Sequence, residues 1–147
     1  KEENNNLKGI KDTSEDLQVL EEFIYILSSN MDILVGTDSL ILPALVMGAS
    51  GAISALANCL PELCTDIYYD FLNSSWEKAK RKQLLLSRVK TVIGQMYPIS
   101  ALKAILKYRG IMVGKTRSPL GVLSSEQEKI LKELTEDVKQ SYLLLRG

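Results

Sequence analysis

Along the chain the apolar positions switch between an alternating and a helical period, and each switch marks an element. Leu7-Lys8-Gly9-Ile10-Lys11 reads as a short strand with Leu7, Gly9 and Lys11 on one face, Gly9 leaving room beside the lysine stem. Ser14 then opens a helix with Glu15 and Asp16 in its first turn; Leu17, Leu20, Phe23, Ile24 and Leu27 form its apolar stripe, and Ser28-Ser29-Asn30 closes it. Asp32-Ile33-Leu34-Val35-Gly36 is a continuous apolar run of the kind buried on both faces of a parallel sheet. Asp38 or Ser39 starts a second helix that stops at Gly48, and Gly51 to Leu56 is a third strand. Three strand-then-helix units imply parallel pairing through right-handed crossovers.

From Asn58 onward the period is helical throughout. Helices are expected over Pro61 to Leu72, over Ser75 to Met96 with Leu85, Val89, Val92, Ile93 and Met96 on one side, and from Pro98 to Gly110. After a loop to Pro119, Ser125-Glu126-Gln127-Glu128 reads as a capping box opening a last helix with Ile130, Leu131, Leu134, Val138 and Tyr142 inward. Residues 1–60 therefore form the βα units and residues 61–147 a helical part. Three parallel strands leave two unpaired edges, so the sheet is expected to continue in strands outside this sequence. The polar run Lys1 to Asn6 leads directly into the first strand, as an internal segment would.

Composition narrows the chemistry. The 147 residues are 46% hydrophobic with a formal net charge of zero, which suits a soluble globular unit and gives no electrostatic reason to expect nucleic acid or an anionic membrane. The basic run Lys78-Ala79-Lys80-Arg81-Lys82 reads as a solvated helix face with a Glu77 to Arg81 pair. Ser39 to Pro61 holds no charge, yet Pro43, Gly48, Gly51 and Asn58 interrupt it, and buried soluble elements are expected rather than a membrane span. The absence of histidine removes the commonest general base and zinc ligand. Cys59 and Cys64 lack metal or redox spacing and read as buried free thiols of a cytoplasmic protein. Gly114-Lys115-Thr116 follows a helix where a phosphate-binding loop needs a strand, and is set aside.

A lysine at a strand end becomes an amine nucleophile when burial or a nearby cation lowers its pKa. From the strand pattern alone, a Lys11 that snorkels from the sheet rim or pairs with Asp12 is the favoured reading. Gly36 and Asp38 are equally open between a turn glycine with a helix N-cap and a pocket role.

The blocks Gly9-Ile10-Lys11-Asp12-Thr13-Ser14, Leu34-Val35-Gly36-Thr37-Asp38-Ser39 and Gly48-Ala49-Ser50-Gly51-Ala52-Ile53-Ser54, then Ala57-Asn58, Pro61-Glu62 and Arg117-Ser118-Pro119-Leu120, change this weighting. In order and interval they resemble the dihydrodipicolinate synthase and N-acetylneuraminate lyase superfamily, over nearly the whole chain. The resemblance is to the C-terminal half of that family's (β/α)₈ TIM barrel, an α/β fold, with its helical extension. It implies class I aldolase chemistry, a lyase with Lys11 as the Schiff-base lysine, Gly36 and Asp38 lining the substrate pocket, and the Ile53 carbonyl facing the lysine. Barrel sites gather at strand C-terminal ends, where these residues fall. The implied substrates are pyruvate or a 2-keto acid and an aldehyde, without metal or organic cofactor. The synthase that joins pyruvate to aspartate semialdehyde fits best, and a 2-keto-3-deoxygluconate-type aldolase is the alternative. The implied partners are the N-terminal half-barrel and further copies in a dimer or tetramer. The family's proton-shuttling tyrosine lies on earlier strands, and Tyr25, Tyr68, Tyr69, Tyr97, Tyr108 and Tyr142 all fall on expected helices. A non-catalytic assembly or regulatory role is the reading from another class.

Overall fold

A computed structural model gives the architecture, and it describes residues 6–146. The polar leader therefore lies almost wholly outside the described residues. Strands β1 (Gly9–Asp12), β2 (Asp32–Val35) and β3 (Gly51–Ala52) form a parallel sheet in the order β1-β2-β3. Helices α1 (Leu17–Leu27) and α2 (Ile41–Met47) are the crossovers, and α3 (Pro61–Leu72), α4 (Trp76–Gly94), α5 (Pro98–Tyr108) and α6 (Ser125–Arg146) follow. One apolar cluster runs from Leu20 through Ile33, Val35, Leu63, Leu86 and Ile105 to Leu131 and Tyr142.

Register decides which face is which. Ile10 pairs with Ile33 and Asp12 with Val35, and Ile33 and Val35 are fully buried beneath the helices. Lys11 pairs with Leu34, which pairs with Gly51, so these three share the opposite face, where Lys11 is exposed. On that face Leu34 is half-buried, and among the described residues nothing pairs with the outer edges of β1 and β3.

The structure corrects several boundaries, each for a local reason. Helix α1 starts at Leu17, because Glu15 takes a left-handed conformation (φ 63°) and Asp16 acts as N-cap, its side chain accepting from the Gln18 N–H at 2.9 Å. Leu7 stays outside β1. Strand β3 ends at Ala52, and Leu56–Asn58 forms a 3-10 turn, because the Ser54 hydroxyl takes the Ala57 N–H at 3.1 Å. Helix α2 is preceded by a 3-10 turn at Asp38–Leu40 and ends on Gly48 at φ 105°, a left-handed cap that glycine adopts without strain. The capping box is one residue earlier than expected. Ser124 Oγ accepts from the Gln127 N–H at 3.2 Å and Gln127 Oε1 from the Ser124 N–H at 3.0 Å, while Glu128 accepts from the Tyr108 hydroxyl. Ile130, expected inward, is 39% exposed. Tyr97 caps α5 rather than lying inside a helix. No described helix is long and apolar enough to cross a membrane.

The largest correction is at the basic run. Glu77 pairs with Lys80 rather than Arg81, and Lys82 is buried, not solvated. Its ammonium lies 2.7 Å from Asp70 and 3.0 Å from Asp66, both on α3, and Asp66 also accepts from the Tyr142 hydroxyl of α6 at 2.8 Å. Burial works against the Lys82 charge, but the hydrogen bonds it donates to Asp70 and Asp66, with their negative charge, outweigh it and leave its pKa raised. Burial is profitable for a lysine only with such partners. Arg109, at the end of α5, similarly donates to the Cys59 carbonyl and the Glu62 carboxylate, tying α5 to the start of α3.

Two expectations follow. Lys82→Met removes the cation between two largely buried carboxylates, and breaking such a pair costs about 3 kcal/mol; urea unfolding should show that loss with an unchanged slope. Since the folded pKa is raised, the contribution is complete below the ordinary lysine range and disappears only as pH rises through the folded value. Burial, with Cys64 nearby, pushes the Cys59 thiol up to about 12, and burial pushes Cys64 up to about 11 despite its Ser54 contact. Iodoacetamide at pH 9 should therefore leave both thiols unmodified in the native protein and alkylate them after denaturation. Rapid native labelling would contradict their burial.

Candidate functional site

Three of the residues expected to form the site lie near the strand C-terminal ends on the open sheet face. Lys11 stands next to the end of β1, and Gly36 follows β2 on the same face, one step beyond Leu34. The Gly36 N–H donates to the Asp12 carbonyl at 2.6 Å, which carries the parallel ladder past the strand end. A Cβ built on Gly36 would sit 2.6 Å from Lys11 Cε, 2.2 Å from Thr13 Oγ1 and 2.9 Å from the Asp12 carbonyl oxygen. Gly36, not Gly9, thus makes room for the lysine stem. The space at Gly9 accommodates Asp32, whose carbonyl oxygen would lie 2.7 Å from an added Cβ.

Lys11 is not held by Asp12. The Asp12 carboxylate instead accepts from the Ser14 N–H at 3.0 Å and the Ser14 hydroxyl at 2.8 Å. Among the described residues Lys11 Nζ has no hydrogen bond or ion pair. Ile53 completes the row: its N–H donates to the Val35 carbonyl at 2.9 Å, its side chain is 49% exposed, and its own carbonyl accepts no hydrogen bond from the described residues.

Asp38 is placed differently from the other three. It is 3% exposed, and its carboxylate accepts from the Ser54 hydroxyl in a short bond and from the Leu56 N–H at 3.0 Å. It is the first residue of a 3-10 turn whose N-cap is Thr37, so it is not the N-cap the sequence suggested, and its side chain reaches across to the loop after β3. The structure thus brings Lys11, Gly36 and Ile53 to one face, with Asp38 fixing the turns behind them. No described group of three or more His, Cys, Asp or Glu is arranged to hold a metal.

Sequence reasoning missed three contributors. Thr13 lies two residues past Lys11, so strand alternation already put it on the lysine's face. Ser54 stood in a quoted block without a role. Gln83 sits at a stripe position of α4, between the buried Ala79 and Leu86, and a polar residue in an apolar stripe was the available signal.

The close approach at Gly36 makes a prediction. Gly36→Ala forces an added methyl against a backbone carbonyl and the lysine stem, so it should displace the stem and cost about 1–3 kcal/mol of stability. Gly9→Ala should destabilise through Asp32 while leaving the Lys11 environment intact, which ¹⁵N and ¹³C shifts of Lys11 would distinguish.

The chain matches the family model described as Dihydrodipicolinate synthetase family over residues 2–140. It is 38% identical over 133 residues to a 4-hydroxy-tetrahydrodipicolinate synthase of Caldicellulosiruptor bescii, covering 90% of this chain and 44% of that one. Among solved structures, an N-acetylneuraminate lyase from Fusobacterium nucleatum complexed with pyruvate superposes with a TM-score of 0.85 at 29% identity, over 92% of this chain and 46% of that one. The Ruminococcus gnavus sialic acid aldolase superposes with a TM-score of 0.90 at 24% identity, over 98% and 49% respectively, and shows the fold. The chain spans about half the length of the curated relatives it matches. Its three βα units and trailing helices are the C-terminal half of a TIM-barrel fold, and the chain belongs to the dihydrodipicolinate synthetase family.

Proposed function

We propose that this chain supplies the imine-forming half of a pyruvate-dependent class I aldolase, with Lys11 as the nucleophile. The observation that carries this reading is the lysine stem lying against Gly36 at adjoining strand ends, with the Ile53 carbonyl, which accepts no hydrogen bond among the described residues, on the same face. Family membership supports it, since relatives carry the name 4-hydroxy-tetrahydrodipicolinate synthase.

On this reading the neutral Lys11 amine attacks C2 of pyruvate, and the carbinolamine loses water to give an iminium. The iminium draws electrons from the C3–H bond; the resulting enamine forms the new carbon–carbon bond to an aldehyde, and hydrolysis frees Lys11. Gly36 and Asp38 shape the pocket wall, Gly36 by close approach and Asp38 by holding the turn. The Ile53 carbonyl accepts from the lysine nitrogen or from water leaving it. No cofactor enters the scheme.

Proton transfer is a separate contribution, roughly 10²- to 10⁴-fold. No tyrosine of this chain lies on a strand end: Tyr25, Tyr68, Tyr69, Tyr108 and Tyr142 are on helices and Tyr97 caps one. The relay is therefore assigned to strands of a complementary half-barrel pairing with the open edges of β1 and β3. The acceptor we favour is aspartate semialdehyde, on the strength of the sequence relatives. A sugar-derived aldehyde is the competing reading, favoured by the 29% identity to the neuraminate lyase.

Incubation with pyruvate followed by borohydride should give a covalent adduct that peptide mass mapping locates on Lys11, and Lys11→Arg should abolish it. Pyruvate without borohydride should leave no stable mass shift. An adduct elsewhere, or none in the presence of the complementary half, would overturn the proposal.

A further inference from the structure

Gln83 is buried at 6% exposure in the middle of α4, forty-one residues along the chain from Leu42, yet its side chain bonds the turn that carries Gly36. Its Oε1 accepts from the Leu42 N–H at 2.8 Å. Its Nε2 donates to the Asp38 carbonyl at 3.0 Å and to the Ser87 hydroxyl at 3.1 Å, so both amide protons are used. A leucine would fill this stripe position without desolvating an amide, so the position's polarity is spent on the β2–α2 turn.

That turn is held from three directions. The Gly36 N–H ties it to β1 through the Asp12 carbonyl, the Asp38 carboxylate ties it to the loop after β3 through Ser54 and Leu56, and Gln83 ties it to the helical part. Only the last bond reaches beyond the sheet. The stretch of α4 that carries it is itself anchored, because the adjacent Lys82 is clamped between Asp66 and Asp70 of α3. Since Gly36 forms the wall against Lys11 Cε, an outward shift of the turn removes the contact that orients the lysine stem.

We propose that Gln83 is a positioning residue of the site: by bonding the Asp38 carbonyl and the Leu42 N–H it fixes the β2–α2 turn, and through Gly36 the orientation of Lys11. This rests on Lys11 being the nucleophile. It adds that the helical part following the barrel units sets the reactivity of a lysine on the first of them.

The test compares the intact protein with Gln83→Leu, which loses all three bonds, Gln83→Glu, which keeps an acceptor for Leu42 but loses both donors, and Leu131→Val, a core change on α6 remote from the turn. Borohydride trapping of pyruvate is timed across pyruvate concentrations at a temperature where circular dichroism shows every variant folded. The maximal trapping rate of both Gln83 variants should fall roughly 10- to 100-fold, the scale of a misplaced reacting group. Leu131→Val should trap at the parental rate even where its melting temperature is lower. Parental rates in the Gln83 variants, or an equal fall in Leu131→Val, would overturn the inference. Should the parent form no adduct even with the complementary half present, the nucleophile reading fails, and amide hydrogen exchange decides the positioning claim. Faster exchange at Gly36 and Leu42 in Gln83→Leu than in Leu131→Val upholds control of the turn; equal exchange refutes it.

Discussion

A carboxylate buried as deeply as Asp38 persists only where donors surround it, and that requirement organises the sheet's reactive end. Its donors come from Ser54 and Leu56, in the loop after β3, so the end of β2 cannot move without the end of β3. Gly36 and Ile53 are thereby fixed relative to each other, and the ladder bond from Gly36 to Asp12 extends the constraint to Lys11. Parallel strands lack the tight hairpins that set register in antiparallel pairs. Here side-chain bonds between successive strand-end turns supply what hairpins cannot.

The elements most legible in the sequence are those whose signals are local. Pro61 at the first helical position and the apolar spacing to Leu72 gave α3 its observed limits, because proline at N1 loses no hydrogen bond. Parallel pairing also followed from sequence, since βα alternation implies it. Boundaries went wrong where a side chain competed with the backbone: Ser54 ended β3 early, and Glu15 together with Asp16 delayed α1. Lys82 was misread as solvated and Gln83 went unread for a different reason. Their partners lie on other elements, Asp66 and Asp70 on α3 and Asp38 and Leu42 on the β2–α2 turn, and helical periodicity reports burial without saying who waits there.

The same distinction divides the site. Lys11, Gly36 and Ile53 came from the family resemblance in motif order, and the parallel register puts them in adjoining rows on one face. What the motifs did not carry was the reason for the glycine, which is clearance for Lys11 Cε rather than a turn conformation, or the network behind Asp38. Both are consequences of packing between strands, invisible in either strand alone.

On the proposed reading, the open face has an energetic consequence for Lys11. A lysine becomes nucleophilic at neutral pH when its charged form loses solvation, which requires a covered site. Lys11 lies on the exposed face of three strands, so the residues described here orient the amine but leave it in water. Orientation and desolvation are then supplied by different parts of the fold: the β2–α2 turn and its supports fix where the stem points, while strands closing the barrel would exclude water and bring the proton relay. An amine aimed by one half and activated by the other forms the imine slowly in the free half and at full rate only once the two are joined.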